Sequence, residues 1–271
     1  PATGDVVDWR SPGTWEALCR PSRRLPPGTV LESGAGADLR VEVGDDLGEG
    51  RRLVRVLAGD PEQHGDVPLP PYLDTVLDGD DRYQTVYAAA LGSVAAPTAG
   101  LHLTHDLLDR CAAVGVGLAT VDLAVGLGTF RPLSTDQVGD HVMHSEAYRV
   151  PAATLAAIEA TRASGGRVVA VGTTVVRALE TVALTGALEG RTSIFLRRGH
   201  RFAHVDVLLT NFHQPRSTLL VLVDAFVGDR WRDLYATALA EGYRFLSFGD
   251  AMLLERAESG HEAAPGFEAA P

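Results

Sequence analysis

The chain has 271 residues, 45% of them hydrophobic, so it can bury a sizeable core. Its formal net charge of −11 argues against a protein that coats nucleic acid by charge alone, but it does not exclude a local basic face. No apolar run is long enough to cross a bilayer, and no basic-then-apolar segment predicts secretion. The two cysteines, Cys19 and Cys111, lie far apart. This spacing favours a reducing, cytoplasmic location over a disulfide framework or a thiolate zinc site.

Residues 1–62 are predicted to form a small β-rich module. Short segments with a partly alternating pattern predict strands at residues 14–20, 29–32, 38–43 and 51–57. Turns rich in glycine and proline separate these segments, and a small β-barrel or sheet is the expected architecture. Because the chain begins with Pro1 and no strong element precedes Trp9, we also expect a processed or truncated start.

From Asp81 onward, helix and strand patterns alternate along the chain. Helices are predicted at residues 82–91, 104–114, 151–164, 173–185, 217–226 and 230–241. Strands are predicted at residues 116–125, 167–171, 204–209 and 243–248. The pattern predicts a mixed α/β (α+β) fold, with a larger α/β catalytic domain over residues 63–258 and a flexible tail over residues 259–271.

Two glycine-containing turns follow predicted strands. The turn Val171-Gly172-Thr173-Thr174 opens a helix, where small residues and free N–H groups suit a carboxylate or phosphate. An ordinary tight strand-to-helix connection explains the same residues. The turn Gly126-Leu127-Gly128-Thr129 lacks the Lys-Ser/Thr ending of a P-loop and does not complete a dinucleotide fingerprint. Neither turn alone indicates a nucleotide fold.

The segment His141 to Glu146 contains two imidazoles and a carboxylate within six positions. Such groups can act as general acid and base or hold zinc, but the spacing is not that of a zinc protease helix. Surface histidines beside a structural glutamate are an equally good interpretation. Polar loops at residues 95–102 and 210–215 also stand at the ends of predicted elements, where α/β proteins place their sites.

Taken together, these segments resemble one family, the S-adenosylmethionine:tRNA ribosyltransferase-isomerases of queuosine biosynthesis. Segments similar to the family's motifs occur in the family's order at residues 68–72, 81–87, 93–102, 126–132, 141–150, 170–177, 210–228 and 243–253. Residues 15–28, with the run Arg20-Pro-Ser-Arg-Arg24, are similar to the family's smaller module. The resemblance covers nearly the whole chain, and ungapped runs such as TNFHQPRSTLL are highly specific.

The resemblance implies an unusual use of S-adenosylmethionine, as a co-substrate that gives up its ribosyl portion. The acceptor is 7-aminomethyl-7-deazaguanine at the wobble position of a tRNA with a GUN-type anticodon. Adenine and methionine leave, and the product is epoxyqueuosine-tRNA. No metal or prosthetic group is implied, and we expect a monomer that does not bind membranes.

The resemblance also implies roles for individual residues, which we state as expectations. The catalytic acid and base are expected among His102, His144, Glu146 and His213. The substrate is expected to contact Thr98, Gly128, Thr129, Thr173, Thr174 and Asn211. Phosphates of the tRNA are expected to contact Arg20, Arg23, Arg24 and Arg177.

Two departures from the family pattern keep other functions open. Ala124 stands where family members commonly have histidine, and the family's preceding stretch with an Asn-Asp-Thr-Arg motif is not in this sequence. A paralogue acting on a small-molecule nucleoside, or a non-catalytic nucleoside-binding protein, would be compatible with both. The whole-chain resemblance favours the transferase.

Overall fold

The computed structural model describes residues 3–5, 13–34, 38–48, 50–64, 69–70, 72, 80–89, 93, 95–124, 143 and 145–257. The chain divides into two compact units. The first comprises Pro1–Asp74 and Ala90–Val94, and the second comprises Thr75–Ala89 and Ala95–Pro271. The predicted module boundary at residue 62 differs from this division, in which residues 90–94 return to the first unit. The predicted tail over residues 259–271 lies outside the described residues.

The first unit is built on an antiparallel five-stranded sheet in the order β1-β2-β5-β4-β3. Its strands are β1 (Thr3–Asp5), β2 (Thr14–Leu18), β3 (Val30–Glu32), β4 (Arg40–Gly48) and β5 (Arg51–Ala58). The predicted barrel is wrong. The edge strands β1 and β3 have three residues each and, in the part of the chain that the structure describes, do not pair with each other. Closure requires strands long enough to tilt and pair around the whole circumference, which these edges are not.

The core of this unit is small. Ala17, Cys19 and Val54 form a buried cluster, and Val43 is fully buried in β4. Side chains alternate along β5, so that Arg52 and Val54 are buried whereas Arg51 and Arg55 are exposed. One arginine therefore enters the interior of this unit.

The second unit contains five α-helices and six strands among its described residues. The helices are α1 (His105–Ala113), α2 (Ala152–Ala163), α3 (Thr173–Thr185), α4 (Thr218–Val227) and α5 (Arg230–Ala240). The strands are β6 (Asp122–Ala124), β7 (Glu146–Arg149), β8 (Val169–Val171), β9 (Glu189–Thr192), β10 (Val207–Asn211) and β11 (Ala251–Glu255). They form two three-stranded sheets, β11-β10-β8 and β6-β7-β9. The predicted mixed α/β class is confirmed.

Most helix predictions are confirmed. These helices could be predicted because the residues that begin and end them act locally. The hydroxyl of Thr104 accepts the N–H of Leu107 at the start of α1, and Ser217 accepts that of Leu220 at the start of α4. Helix α3 ends at Gly186, which adopts the left-handed conformation that glycine allows.

Three element predictions are wrong. The described part of the predicted helix 82–91, residues 82–89, is not α-helical and has the end of a 3-10 turn at Asp80–Tyr83 followed by turns and bends. Among the described residues of the predicted strand 116–125, only Asp122–Ala124 pair in a sheet, and Val116 and Leu118 are exposed. Residues 243–248 form no strand but a loop that leads into a turn, and β11 follows this loop.

The core of the second unit lies where α3 and α4 pack on the sheet β11-β10-β8. In register across this sheet, Ala170, Leu208 and Leu254 are at most 4% exposed. Val176 of α3 and Phe226 of α4 are fully buried. Among the residues that the structure describes, no helix is both long and apolar enough to cross a membrane.

Candidate functional site

Two parallel strands bring the candidate site together in the second unit. Strands β8 and β10 pair in parallel, with Val171 opposite Leu209. The next residue, Gly172, donates its N–H to the carbonyl of Leu209 at 2.8 Å. The two polar segments that follow these strands therefore leave the same edge of the sheet, where open α/β sheets bind ligands.

A 3-10 helix over Thr98–His102 lies against the end of β10. Asn211, the last residue of β10, donates from Nδ2 to Oγ1 of Thr98 at 3.2 Å. Its Oδ1 lies 3.1 Å from Nε2 of His102. Asn211 is only 2% exposed, whereas His102 remains partly accessible. Thr98, His102 and Asn211, all expected at the site, thus form one hydrogen-bonded group. Thr98 and Asn211 are 113 positions apart in the sequence.

The turn between β8 and α3 lies beside the same 3-10 helix. Gly172 has φ of +96°, a conformation that side chains rarely adopt, and a Cβ built on it would lie 3.8 Å from Cβ of Ala99. Helix α3 begins at once with Thr173, which is buried, and Thr174, which is partly exposed. The first N–H groups of this helix have no partner within the helix and favour an anionic group.

His213 follows β10 and is held on both sides. Its Nε2 lies 2.9 Å from Oγ1 of Thr210, and its backbone N–H donates to the hydroxyl of Tyr235 at 2.8 Å. His213 as a residue is half-buried, and the burial of its ring lowers the pKa of His213 to about 4. The imidazole is therefore neutral near pH 7, a state that can accept a proton or a hydrogen bond.

Aromatic rings fix the position of this segment. Phe212 contacts Tyr235 and Phe245, with ring centroids 5.5 Å and 5.0 Å apart. Burial raises the pKa of Tyr235 to about 12, so its hydroxyl stays protonated while it accepts the N–H of His213. The backbone carbonyl of Phe212 accepts the N–H of Leu246 at 2.9 Å. These contacts leave the His213 backbone little freedom.

Glu146 and Arg177 form a buried ion pair one helical turn beyond Thr173. The guanidinium of Arg177 donates through Nη1 to Oε2 of Glu146, and the two side chains are 8% and 4% exposed. Nε of Arg177 donates to the carbonyl of Ile194 at 3.3 Å. This interior location favours a structural role for Arg177 over a surface contact with tRNA phosphate. The contributions of both residues to binding and catalysis stay predictions.

The three other arginines expected to contact tRNA lie in the first unit. The buried Arg52 donates to Oγ and to the carbonyl oxygen of Ser22, at 3.2 Å and 3.1 Å. It thereby anchors the 3-10 turn Ser22–Arg24 on β5. The basic turn, comprising this 3-10 turn and the two residues before it (residues 20–24), exposes three arginines that form no ion pair with the described residues, namely Arg20, Arg23 and Arg24.

The structure brings some of the expected site residues together and leaves others outside its description. His144, Gly128 and Thr129 lie outside the described residues, as does His141. The backbone of Ala124 pairs with Ala147 between β6 and β7. Within the described ranges, no group of three or more His, Cys, Asp or Glu side chains is arranged to hold a metal ion.

Sequence reasoning missed the residues that support the site. Tyr235 lies 22 positions after its partner His213, on a helix whose pattern indicates only packing. Arg52 was not expected in the interior, although the alternation along β5 places it with the inward-facing Val54. That alternation is a local signal for Arg52, whereas no local signal indicates the contact of Tyr235 with His213.

Comparisons with known proteins agree on one family. The model of the family described as "Queuosine biosynthesis protein" matches residues 3–254. The S-adenosylmethionine:tRNA ribosyltransferase-isomerase of Rubrobacter xylanophilus is 51% identical over 245 residues, which cover 89% of this chain and 72% of that protein. The protein of the same name from Thermus thermophilus is 50% identical over 263 residues, covering 92% of this chain and 76% of that protein.

A solved structure is also similar in sequence. The crystal structure of S-adenosylmethionine tRNA ribosyltransferase from Thermotoga maritima is 33% identical, covers 93% of this chain and 74% of that chain, and superposes with a TM-score of 0.49.

Proposed function

Because this chain belongs to the queuosine biosynthesis protein family, we propose that it is an S-adenosylmethionine:tRNA ribosyltransferase-isomerase. The sequence-based prediction of the family is confirmed by the family match over residues 3–254. The observation that carries the function is the identity of about half of all residues to enzymes of that name over nine tenths of the chain. Among the described residues, only Ala124 is compatible with the two alternatives, a small-molecule paralogue and a binding protein, in preference to the transferase.

The proposed reaction transfers and isomerises the ribosyl part of S-adenosylmethionine. The acceptor is the aminomethyl group of 7-aminomethyl-7-deazaguanine in the wobble position of a tRNA with a GUN-type anticodon. Adenine and methionine are released, and epoxyqueuosine-tRNA is the product. The protein is proposed to act in the cytoplasm as a monomer.

The grouping of polar residues at the edge of β8 and β10 supports this chemistry. The start of α3 offers N–H groups and the hydroxyls of Thr173 and Thr174 to a nucleoside or a carboxylate. The sulfonium of the substrate acidifies the neighbouring ribose carbon, so a neutral imidazole is a suitable base. His102 is the described imidazole candidate for that base. The pKa of His213, lowered to about 4, disfavours its protonated form, so His213 is unsuited to be the acid and is a weak base near pH 7.

The tRNA is proposed to bind the first unit through its basic turn. Arg20, Arg23 and Arg24 are exposed and form no ion pair with described residues. Arginine is suited to phosphate because its planar guanidinium can donate two hydrogen bonds at once. Such contacts would supply affinity and orientation, whereas the modified base would supply specificity.

The test is mass spectrometry of tRNA carrying 7-aminomethyl-7-deazaguanine after incubation with the protein and S-adenosylmethionine, with adenine release followed in parallel. Epoxyqueuosine in the tRNA, with an equal amount of adenine, is the expected result. Adenine release without change in the tRNA would favour a small-molecule paralogue. The absence of both products would contradict enzymatic function in this chain.

A further inference from the structure

The amide of Asn211 connects both ends of the 3-10 helix Thr98–His102. Nδ2 reaches Oγ1 of Thr98 at 3.2 Å, and Oδ1 reaches Nε2 of His102 at 3.1 Å. Asn211 is 2% exposed, and a buried amide requires partners for its polar atoms. Because it ends β10, the core strand between β8 and β11, its own position is fixed by the sheet.

The direction of these hydrogen bonds decides where His102 carries its proton. A side-chain amide oxygen can only accept, so Nε2 of His102 must be the donor in its contact with Oδ1. In a neutral imidazole the other nitrogen then has a free lone pair. In this orientation of the amide, Nδ2 of Asn211 donates to Oγ1 of Thr98 while Oδ1 faces His102.

We propose that Asn211 is a positioning residue that holds His102 with its proton on Nε2 and so makes Nδ1 the proton acceptor in the reaction. This inference rests on the proposed function and replaces the expected substrate contact of Asn211 by a role through His102. In the step, the lone pair of Nδ1 forms the new N–H bond. The electrons of the broken C–H bond stay on the ribose carbon beside the sulfonium. The positive charge that develops on the ring is stabilised by Oδ1 of Asn211, which accepts from Nε2–H before and after the transfer.

The direct test is nuclear magnetic resonance of the full chain labelled with ¹⁵N in histidine. Long-range ¹H–¹⁵N correlations distinguish the two neutral forms of the ring, and the His102→Gln variant identifies the signals of His102. We expect a protonated Nε2 and an unprotonated Nδ1 in the wild type. A proton on Nδ1, or a rapidly exchanging mixture of the two forms, would overturn the proposal.

Two substitutions of Asn211 separate positioning from mere packing. In Asn211→Asp a carboxylate oxygen can still accept from Nε2–H while the Thr98 hydroxyl turns to donate, so Nε2 of His102 keeps its proton. In Asn211→Leu the volume is similar but the acceptor is lost, and a mixture of the two forms is expected. Unchanged His102 signals in Asn211→Leu would overturn the proposal.

Kinetics add a readout that depends on turnover. Asn211→Leu is expected to lower kcat on the order of 100-fold with little change in KM for S-adenosylmethionine, because the base is misoriented and not removed. Asn211→Asp is expected to retain more of kcat than Asn211→Leu. A large rise in KM with kcat preserved would instead assign Asn211 to substrate binding. The resonance measurement needs no turnover, so an inactive wild type with protonated Nε2 would contradict the proposed function alone.

Discussion

Glu146 and Arg177 form an ion pair in which the side chains are only 4% and 8% exposed. Glu146 begins β7, and Arg177 lies in the second turn of α3, so the pair joins the sheet β6-β7-β9 to the helix that opens at the candidate site. Either charge alone would lower the stability of the folded protein, because a buried charge is not solvated by water and has no other compensation of equal strength. The pair therefore gives Glu146 a structural function whether or not it is also an acid or base.

Replacing Glu146 by its neutral isostere in Glu146→Gln should cost stability as well as turnover. Removing one partner of a buried pair typically costs about 3–5 kcal/mol, since the other charge is left uncompensated. Urea unfolding at pH 7 measures this loss. The double variant Glu146→Gln/Arg177→Met should lose less than the sum of the two single variants, and strictly additive losses would contradict the pairing. If the double variant regains stability but not turnover, at least one of the two side chains also takes part in binding or catalysis.

The stability of the protein should depend on pH through His213. Its pKa is lowered to about 4 in the folded protein by burial, below the value near 6.5 of an unfolded chain. Between these values the unfolded chain binds the proton and the folded protein does not, so stability falls as the pH drops below about 6.5. The expected loss between pH 7.5 and pH 5 is about 2 kcal/mol.

The matched control for this effect is His213→Gln. All other titrating groups remain, so the difference between the two pH dependences, measured by urea unfolding, isolates His213. Between pH 7.5 and pH 5, the free energy of unfolding should fall by about 2 kcal/mol less in the variant than in the wild type. Equal slopes for the two proteins would show that His213 titrates as a solvated histidine.

The salt dependence of tRNA binding should depend on the basic turn. In the double variant Arg23→Gln/Arg24→Gln, the plot of log affinity against log salt should become shallower by about 0.7–0.9 for each phosphate that the turn no longer neutralises. Arg55→Gln is the control, because Arg55 is exposed on the same sheet but its guanidinium pairs with Glu42. An equal change of slope in control and double variant would indicate general charge and not a site.

The local signals in the sequence predicted most helices of the second unit but not the pairing that builds the site. Thr104, Ser217 and Gly186 are end signals that act within a few residues, so they can be read directly. The hydrogen bond of Asn211 with Thr98 spans 113 positions, and only the fold brings the two together. The resemblance selected both residues without indicating that they bond to each other.

Two strand predictions failed for different reasons. In one the apolar residues are exposed, and in the other a side chain several residues along the chain closes a loop. Val116 and Leu118 have the composition of a buried strand but are 48% and 58% exposed. Residues 243–248 look extended, but the backbone N–H of Arg244 donates to the Asp250 carboxylate at 2.7 Å and closes a turn. In this turn Leu246 has φ of 72°, which no local pattern indicates.

The turn closed by Arg244 and Asp250 should tolerate no side chain at position 249. A Cβ there would lie 2.3 Å from the carbonyl oxygen of Arg244 and 2.5 Å from that of Phe245, so the backbone must move. Gly249→Ala should destabilise the protein by about 2 kcal/mol or more, which is the usual cost of inserting an extra methyl group where the surrounding atoms cannot move aside. Gly117→Ala is the control, since a Cβ there meets nothing within 4 Å. Thermal or urea unfolding compares the two, and equal stabilities would contradict the geometry of the turn.

The most direct test of ribosyl transfer follows two isotopic labels of S-adenosylmethionine, one in the ribose carbons and one in the methyl group. The substrate is tRNA carrying 7-aminomethyl-7-deazaguanine, and the tRNA nucleosides are analysed by mass spectrometry after the reaction. We expect the ribose label to enter the modified base while the methyl label leaves with methionine. Methyl label in the tRNA, or no label in it although the wild-type protein is folded, would contradict ribosyl transfer by this chain.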